Sequence, residues 1–397
     1  MPLGLYISVP FCRTKCTYCN FASDVFSRAV FDRYVSRVRS EIEQARETAQ
    51  QMGGRFEPRV DTIYLGGGTP TILEVAQLER LFVTISQNFA VERGAEITVE
   101  CAPGTLNPNT LESFARCGVN RVSLGVQSFV DREAASVGRL HTRDIVFADI
   151  DRLRSAGISN LNVDLIAGLP HQKPESWNKS LTDLIGTDVP HASVYMLEVD
   201  EESRLGRELI AGGQKYHAHF VPDDDLIADL YETACERLNA EGIEQYEISN
   251  FARAGFESKH NLKYWTRQPY LGFGVDAHSM LRSAIGEDAV RFSNTDTLKK
   301  YLAADEKERT VISRRASIEE MFFLGLRLNQ GVNFRGAADC YGEEASATLR
   351  PVIDELVGED LLDCDSEIIR LTARGRLLSN EVFERFISGK PELVTIK

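Results

Sequence analysis

Six times between residue 3 and about residue 200, a short apolar run is followed by an amphipathic segment, and that alternation limits the folds open to this chain. LYISVP, VDTIYLGGG, EITVECAP, RVSLGVQSF, NLNVDLIAGLP and HASVYMLEV read as strands. The segments between them, from FSRAVFDRYVSRVRSEIEQARETAQ and ILEVAQLERLFVTISQNF to ESWNKSLTDLIG, carry apolar residues at helical spacing. Repeated strand–helix units argue for a parallel sheet with helices outside it. The strands are rich in Val, Ile and Leu, which predicts that both faces are covered. The sheet is either doubly wound or barrel-like. In both cases ligands sit at the C-terminal ends of the strands. The unusual residues gather there. Three cysteines follow the first strand and GGGTP follows the second. Glu100 ends the third, Gln127 ends the fourth, and Asp164 lies in the fifth.

After residue 200 the alternation stops. DDDLIADLYETACERLNAEG reads as a helix, and the stretch to about residue 280 is rich in Gly, aromatics and turn residues. From Ser317 a smaller unit begins. It has helices around IEEMFFLGLRL and ATLRPVIDELVGED, an alternating pair LLDCDSEIIRLT, and a last helix to about Ser388. Helices followed by a short hairpin suggest a winged-helix-like domain. The expected division is residues 1–215, 216–310 and 311–397.

Composition narrows the function classes. A net charge of −14 disfavours a broad phosphate-binding surface, so no nucleic-acid partner is expected. Apolar runs such as MFFLGL fall far below the ~18 residues of a membrane span. The start, MPLGLYISVP, has no basic region, long apolar run or small-residue cleavage site. The expected location is the cytoplasm, where thiols stay reduced.

That leaves the stretch PFCRTKCTYCNF to explain, with Cys12, Cys16 and Cys19 inside eight residues of a chain holding eight cysteines. Structural zinc usually takes four Cys or His ligands, and no fourth lies near. An iron–sulfur cluster normally takes four thiolates, so three leave one iron open. Both metal readings stand on spacing alone.

CRTKCTYC resembles the C-x3-C-x-aromatic-C loop of radical S-adenosylmethionine (radical SAM) enzymes, with Tyr18 at the aromatic position. VPFCRTKCTYCNF, GGGTPT, PGTL, VSLGVQSF, GRLH and DLIAGLP resemble, in order, the oxygen-independent coproporphyrinogen III oxidase-like branch of that superfamily, over essentially the whole chain. The resemblance implies a partial (βα)6 TIM barrel as radical SAM core and a C-terminal α+β winged-helix-like domain. It implies a [4Fe-4S] cluster on Cys12, Cys16 and Cys19. It implies S-adenosylmethionine held by Tyr6, Tyr18, Gly67, Gly68, Thr69, Glu100, Gln127, Arg139 and Asp164.

The oxidases of this branch carry a further Cys two positions after the third, where this chain has Phe21, and an N-terminal extension that is not expected here. SKHNLKYW matches the H-N-x-x-Y-W motif of HemW-type heme chaperones. That resemblance implies heme contact by His260, Asn261, Tyr264 and Trp265, with imidazole as a plausible axial ligand. The implied function is heme binding and transfer to an acceptor protein. The alternative is radical decarboxylation by an oxygen-independent coproporphyrinogen III oxidase. Enzyme activity stays open, an electron donor is implied only if S-adenosylmethionine is cleaved, and a homodimer is allowed. The chain departs from the family at Ser8, at Cys101–Ala102–Pro103, and at Val275 and Asp276.

Overall fold

The computed structural model of the 397-residue chain describes all residues except 285, 287, 305, 388–393 and 397. Six strands run parallel in sequence order: β1 (Leu3–Val9), β2 (Arg59–Gly67), β3 (Ala90–Cys101), β4 (Arg121–Gln127), β5 (Asn160–Ala167) and β6 (His191–Met196). Helices cover them: α1 (Phe31–Glu43), α2 (Ala45–Gln51), α3 (Val75–Asn88), α4 (Pro108–Cys117), α5 (Asp131–Ser136), α6 (Arg143–Ser155) and α7 (Pro174–Gly186). This is the expected partial (βα)6 barrel. The helix expected over residues 26–50 is broken at Gln44, which leaves the helical region (φ −94°, ψ 5°). The apolar spacing runs on through Ala45 and Ala49 and does not signal that break.

The two faces of the sheet differ more than the sequence reading anticipated. Outward positions such as Ile63, Leu65, Val99, Val122 and Val163 are buried against Val38, Leu81, Ile150 and Leu181 of the helices. Each such side chain contributes about 1.5–3 kcal/mol when fully buried. The alternate positions point into the barrel and are polar: Thr62 and Tyr64 on β2, Glu96 and Glu100 on β3, Ser123 on β4, Asn162 and Asp164 on β5, Ser193 on β6. They hydrogen-bond across the strands, as in Asn162 Nδ2 to Ser123 Oγ (2.7 Å) and Ser193 Oγ to Asn162 Oδ1 (3.2 Å). A polar interior at period two marks a barrel that is filled for binding as well as for packing.

After β6 come α8 (Arg204–Ala211) and α9 (Asp224–Ala240), then β7 (Glu244–Glu247) and β8 (Asn250–Ala252), which extend the sheet antiparallel beyond β6. The chain next crosses to the opposite edge. The crossing contains the short helix α10 (Lys259–Trp265), and β9 (Tyr270–Phe273) then pairs parallel with β1. β10 (His278–Arg282), β11 (Ala289–Asn294), α11 (Leu298–Ala303) and β12 (Lys307–Ile312) follow, these strands being antiparallel. Gly, aromatic and turn residues had masked these strands in the sequence.

The C-terminal unit holds α12 (Arg314–Gly325), β13 (Val332–Asn333), α13 (Phe334–Tyr341), α14 (Glu343–Ala347), α15 (Arg350–Gly358), β14 (Leu362–Asp365), β15 (Ile368–Leu371), α16 (Ala373–Leu377) and α17 (Ser379–Glu384). A last strand, β16 (Val394–Ile396), pairs with β12. The helices and the small antiparallel sheet β13–β15–β14 make the expected winged-helix-like unit. The expected helix end near Ser388 lies outside the described residues. This unit has its own core, where Phe322 stacks on Phe386 at 5.5 Å. It clasps the barrel by backbone bonds to the sheet edge, Ile248 N–H to Arg327 O (3.2 Å) and Asn329 N–H to Tyr246 O (3.0 Å). Arg267, buried just after α10, binds Glu320 of α12 (3.0 Å) and Asp288 (3.0 Å). Among the described residues no helix is long and apolar enough to cross a membrane.

Candidate functional site

The C-terminal ends of β1–β6 open on a cavity of about 380 Å³. Its first wall is the loop after β1. That loop is pinned from several sides: Cys12 N–H to Asp24 O (3.0 Å), Thr17 N–H to Val137 O (3.2 Å), Thr14 Oγ1 to Gly138 O (2.9 Å) and Leu205 N–H to Thr17 O (2.9 Å). Cys12, Cys16 and Cys19 are free thiols, each partly accessible. Burial pushes the Cys12 thiol up, so a cation bound there must displace its proton. Among the described residues no three His, Cys, Asp or Glu side chains converge on a single ion, so the trio is not placed as a mononuclear zinc site.

The second wall follows β2. Gly67 sits at φ +102°, in the region where a side chain is strained. A Cβ on Gly68 would lie 2.7 Å from Phe11 O, 2.8 Å from Val9 O and 3.0 Å from Cys12 Sγ. The two glycines bring backbone against the cysteine loop as no other residue could. The third wall is acidic. Glu100 accepts from Tyr64 Oη (2.8 Å) and Gly67 N–H (3.1 Å). Its carboxyl is raised to about 7, by burial first and with the Asp164 charge adding. Burial also raises Asp164, which accepts from Asn162 Nδ2 (2.7 Å) and Ser123 Oγ (3.2 Å). Arg139 Nη2 donates to Tyr18 Oη (3.2 Å), while its buried Nε has no partner among the described residues. Gln127 is held at φ 70° beside a register shift between β4 and β5. Such backbone persists where surrounding structure over-determines it, often at binding sites.

The structure therefore brings together Cys12, Cys16, Cys19, Tyr18, Gly67, Gly68, Thr69, Glu100, Gln127, Arg139 and Asp164 around one cavity. Tyr6 lies inside the barrel below them, its ring 6.1 Å from that of Tyr64 and its hydroxyl near Gly67.

His260, Asn261, Tyr264 and Trp265 do not join this cavity. They sit on α10, which closes the opposite, N-terminal end of the barrel. Glu96 accepts from the backbone N–H groups of Lys259 (3.1 Å) and His260 (3.0 Å), and Lys263 reaches Asp61 (2.7 Å) and Pro2 O (3.1 Å). His260 is 1% exposed. Its Nδ1 lies 2.9 Å from Thr62 Oγ1 and its Nε2 2.8 Å from Tyr264 Oη. Burial, and then the Lys263 charge, push its pKa down to about 3, so it is neutral. Asn261 N–H bonds the Ser258 cap (3.3 Å), and Trp265 lies under the Arg327 guanidinium at 4.4 Å. Thr62 and Gly67 are five residues apart on β2, so roughly 16 Å of strand separates this floor from the mouth.

Sequence reasoning missed Tyr64, which bonds Glu100 and also stacks on His260 with ring centroids 5.3 Å apart. It also missed Glu96, the cap of α10. A signal existed: polar residues at alternate positions of otherwise apolar strands.

Comparison with known proteins follows the same residues. The Radical SAM superfamily model matches residues 6–184, and the HemN C-terminal domain model matches residues 312–378. The chain is 34% identical to a protein of Lactococcus lactis named heme chaperone HemW, over 97% of each chain. It is 34% identical to the Bacillus subtilis protein of that name, over 96% of this chain and 98% of that one. For the Escherichia coli one the figures are 30% and 98% of each. A solved structure of the E. coli coproporphyrinogen III oxidase HemN, described as a radical SAM enzyme, superposes with a TM-score of 0.81. That match has 25% identity over 97% of this chain and 90% of that one.

Proposed function

We propose, for a chain that belongs to the radical SAM superfamily and within it to the HemW family of heme chaperones, that it carries a [4Fe-4S] cluster and S-adenosylmethionine at the barrel mouth, binds heme, and passes heme to an acceptor protein. The observation that carries the reading is the convergence of eleven expected side chains and glycines, contributed by the first five strands and their loops, on one cavity.

Cys12, Cys16 and Cys19 would hold the cluster. Ligands of a multi-iron cluster bond different irons and need not meet at a point, which suits thiols that make no single-ion site. When bound, the cluster supplies an electron for cleavage of the sulfonium, with an electron donor needed only in that case. Gly67, Gly68 and Thr69 would take the methionine end against bare backbone. Glu100 would accept from ribose hydroxyls, and its carboxylate is already oriented by Tyr64 and Gly67. Gln127, Arg139, Asp164 and Tyr18 would close the remaining sides, with Tyr6 supporting from below.

His260, Asn261, Tyr264 and Trp265 would form the heme-responsive element. Iron ligation by His260 requires it to release Thr62 or Tyr264, so heme binding there is coupled to movement of α10. We assign residues 1–215 to the radical SAM barrel, 216–310 to the connecting and H-N-x-x-Y-W region, and 311–397 to the C-terminal domain. We place the protein in the cytoplasm and allow a homodimer.

A second reading, oxygen-independent coproporphyrinogen III oxidase, is favoured by the likeness to HemN over 97% of the chain. Phe21 opposes it, standing where those oxidases carry a further cysteine. The deciding experiment is anaerobic. The cluster is reconstituted, hemin is titrated in by absorbance, and coproporphyrinogen turnover is assayed beside it. Saturable, stoichiometric heme binding without decarboxylated product is expected. Decarboxylated product would overturn the carrier reading.

A further inference from the structure

Three of the chain's seven histidines, His171, His217 and His219, meet on the mouth side of the barrel around Phe220. None of them has a role in the function proposed above. His171 stands in the loop after β5, His217 caps the turn Ala218–Phe220, and His219 lies within that turn. His171 Nε2 lies 3.2 Å from His217 Nδ1. The Phe220 ring centroid is 4.0 Å from that of His171 and 4.1 Å from that of His219. Phe220 is 46% exposed, His219 is exposed, and His219 makes no hydrogen bond among the described residues.

The patch is built. His171 and His217 are held at φ 70° and 63°, where non-glycine residues rarely sit. Its backbone is tied: His171 N–H bonds Phe220 O (2.9 Å), and the Glu208 carboxylate accepts from Tyr216 N–H (2.7 Å) and Ala218 N–H (3.1 Å). Two cations flank it. Arg132 Nη2 lies 3.5 Å from His171 Nδ1, and Lys215 Nζ lies over the Tyr216 ring at 5.1 Å. Beneath it, Ala218, Leu169 and Leu205 form a small apolar cluster that Tyr18 of the cysteine loop also joins.

A bare metal ion is a poor fit, because no three ligating groups converge among the described residues. Heme iron is a better one. Its macrocycle supplies four donors, so the protein needs to give only one or two axial imidazoles. A porphyrin face suits an exposed aromatic ring, and two propionates suit a guanidinium and an ammonium. We propose that the His171–His217–His219–Phe220 patch is a second, exposed heme site, with His219 as the iron ligand, where heme is taken up or handed over. This rests on the heme-carrier reading. It adds to it an accessible station that the buried His260 cannot be. Hand-over there is ligand exchange: the acceptor's ligand replaces His219 on the iron and no electrons move.

The test uses the full-length, cluster-reconstituted protein. Hemin binding is followed in the Soret band, and heme release is followed with excess apomyoglobin. His219→Ala, and His217→Ala with His219→Ala, are expected to weaken hemin binding or slow transfer about tenfold, the loss of roughly one coordinate contact. Iron-free protoporphyrin IX, which keeps the face and the propionates, is expected to bind about tenfold more weakly than hemin. His278→Ala, which removes an exposed histidine elsewhere, is expected to change nothing. Wild-type spectrum, affinity and transfer rate in both patch variants would overturn the site. So would an equal effect of His278→Ala, which marks adventitious imidazole binding. Absence of hemin binding by the wild type would instead remove the carrier reading itself.

Discussion

The two ends of one barrel are built to opposite rules. At the mouth, thiols are partly accessible, Arg139 Nε is without a partner among the described residues, two glycines bare the backbone, and a carboxyl is raised to about 7. At the floor, His260 has both ring nitrogens engaged, Lys263 is paired, and the N–H groups that open α10 are capped by Glu96. Polar groups left partly unmet are costly in a fold and useful to a ligand. Met groups such as those of His260 and Lys263 serve architecture first, although Trp265 Nε1 at the end of α10 is buried without a partner among the described residues. The mouth is therefore ready to bind, while the floor must give up something to do so.

The sharpest way to break that contrast is at the cysteines. Replacing Cys16 by Ser should remove the iron–sulfur absorbance and most bound iron after anaerobic reconstitution. Full iron content in this variant would end the assignment of the mouth. The next largest effect belongs to the floor. Arg267→Ala removes the cation shared by Glu320 and Asp288, which keep Arg291 and Arg282 respectively, and should cost about 2 kcal/mol in urea unfolding, with cluster content unchanged per folded molecule. A change near zero would mean that the clasp between barrel and C-terminal unit lies elsewhere.

Glu100→Gln should weaken S-adenosylmethionine binding about tenfold by calorimetry. Because the wild-type carboxyl titrates near 7, its affinity for a cationic ligand should tighten as pH rises through that value. The variant should show a flat profile, and parallel profiles would remove Glu100 from the site. The smallest effect is the pH response of the floor. His260 has a folded pKa of about 3 against a usual value of 6.5, so the unfolded chain takes up the proton first. Its stabilising contribution is whole above pH 6.5 and declines as pH falls toward 3. Between pH 7 and 5.5 that amounts to about 1 kcal/mol. His260→Gln should lose stability less steeply over this window; identical slopes would show that His260 is not held neutral.

Much of the mouth was legible in the chain because its parts are local. CRTKCTYC and GGGTP each fit in one loop, and a parallel sheet puts all such loops at one end. The floor was not. Nothing in SKHNLKYW says that His260 faces Thr62, which is 198 residues away, or that Glu96 caps its helix from 164 residues away. The H-N-x-x-Y-W motif was visible as a pattern, but its burial depends on a crossing between sheet edges that no local spacing encodes. Strands β9–β12 were hidden for a related reason. They are short, interrupted by glycines and turns, and take their partners from distant parts of the chain. The alternation of polar residues along β2, β3 and β5 was legible but was overridden by their Val, Ile and Leu content.

The pairing of β1 with β9 also matters for how the molecule is made. The first strand off the ribosome waits for a neighbour that begins at Tyr270. At ~5–20 residues per second that is roughly ten seconds to a minute with one flank unpaired. During this interval the cysteine loop is already synthesised while the barrel is open on that side. Assembly of the proposed iron–sulfur cluster would therefore have a window before the wall closes, and the nascent edge is a place where a holdase would prevent misassociation. Slowing translation between α9 and β9 should lengthen both the opportunity and the hazard.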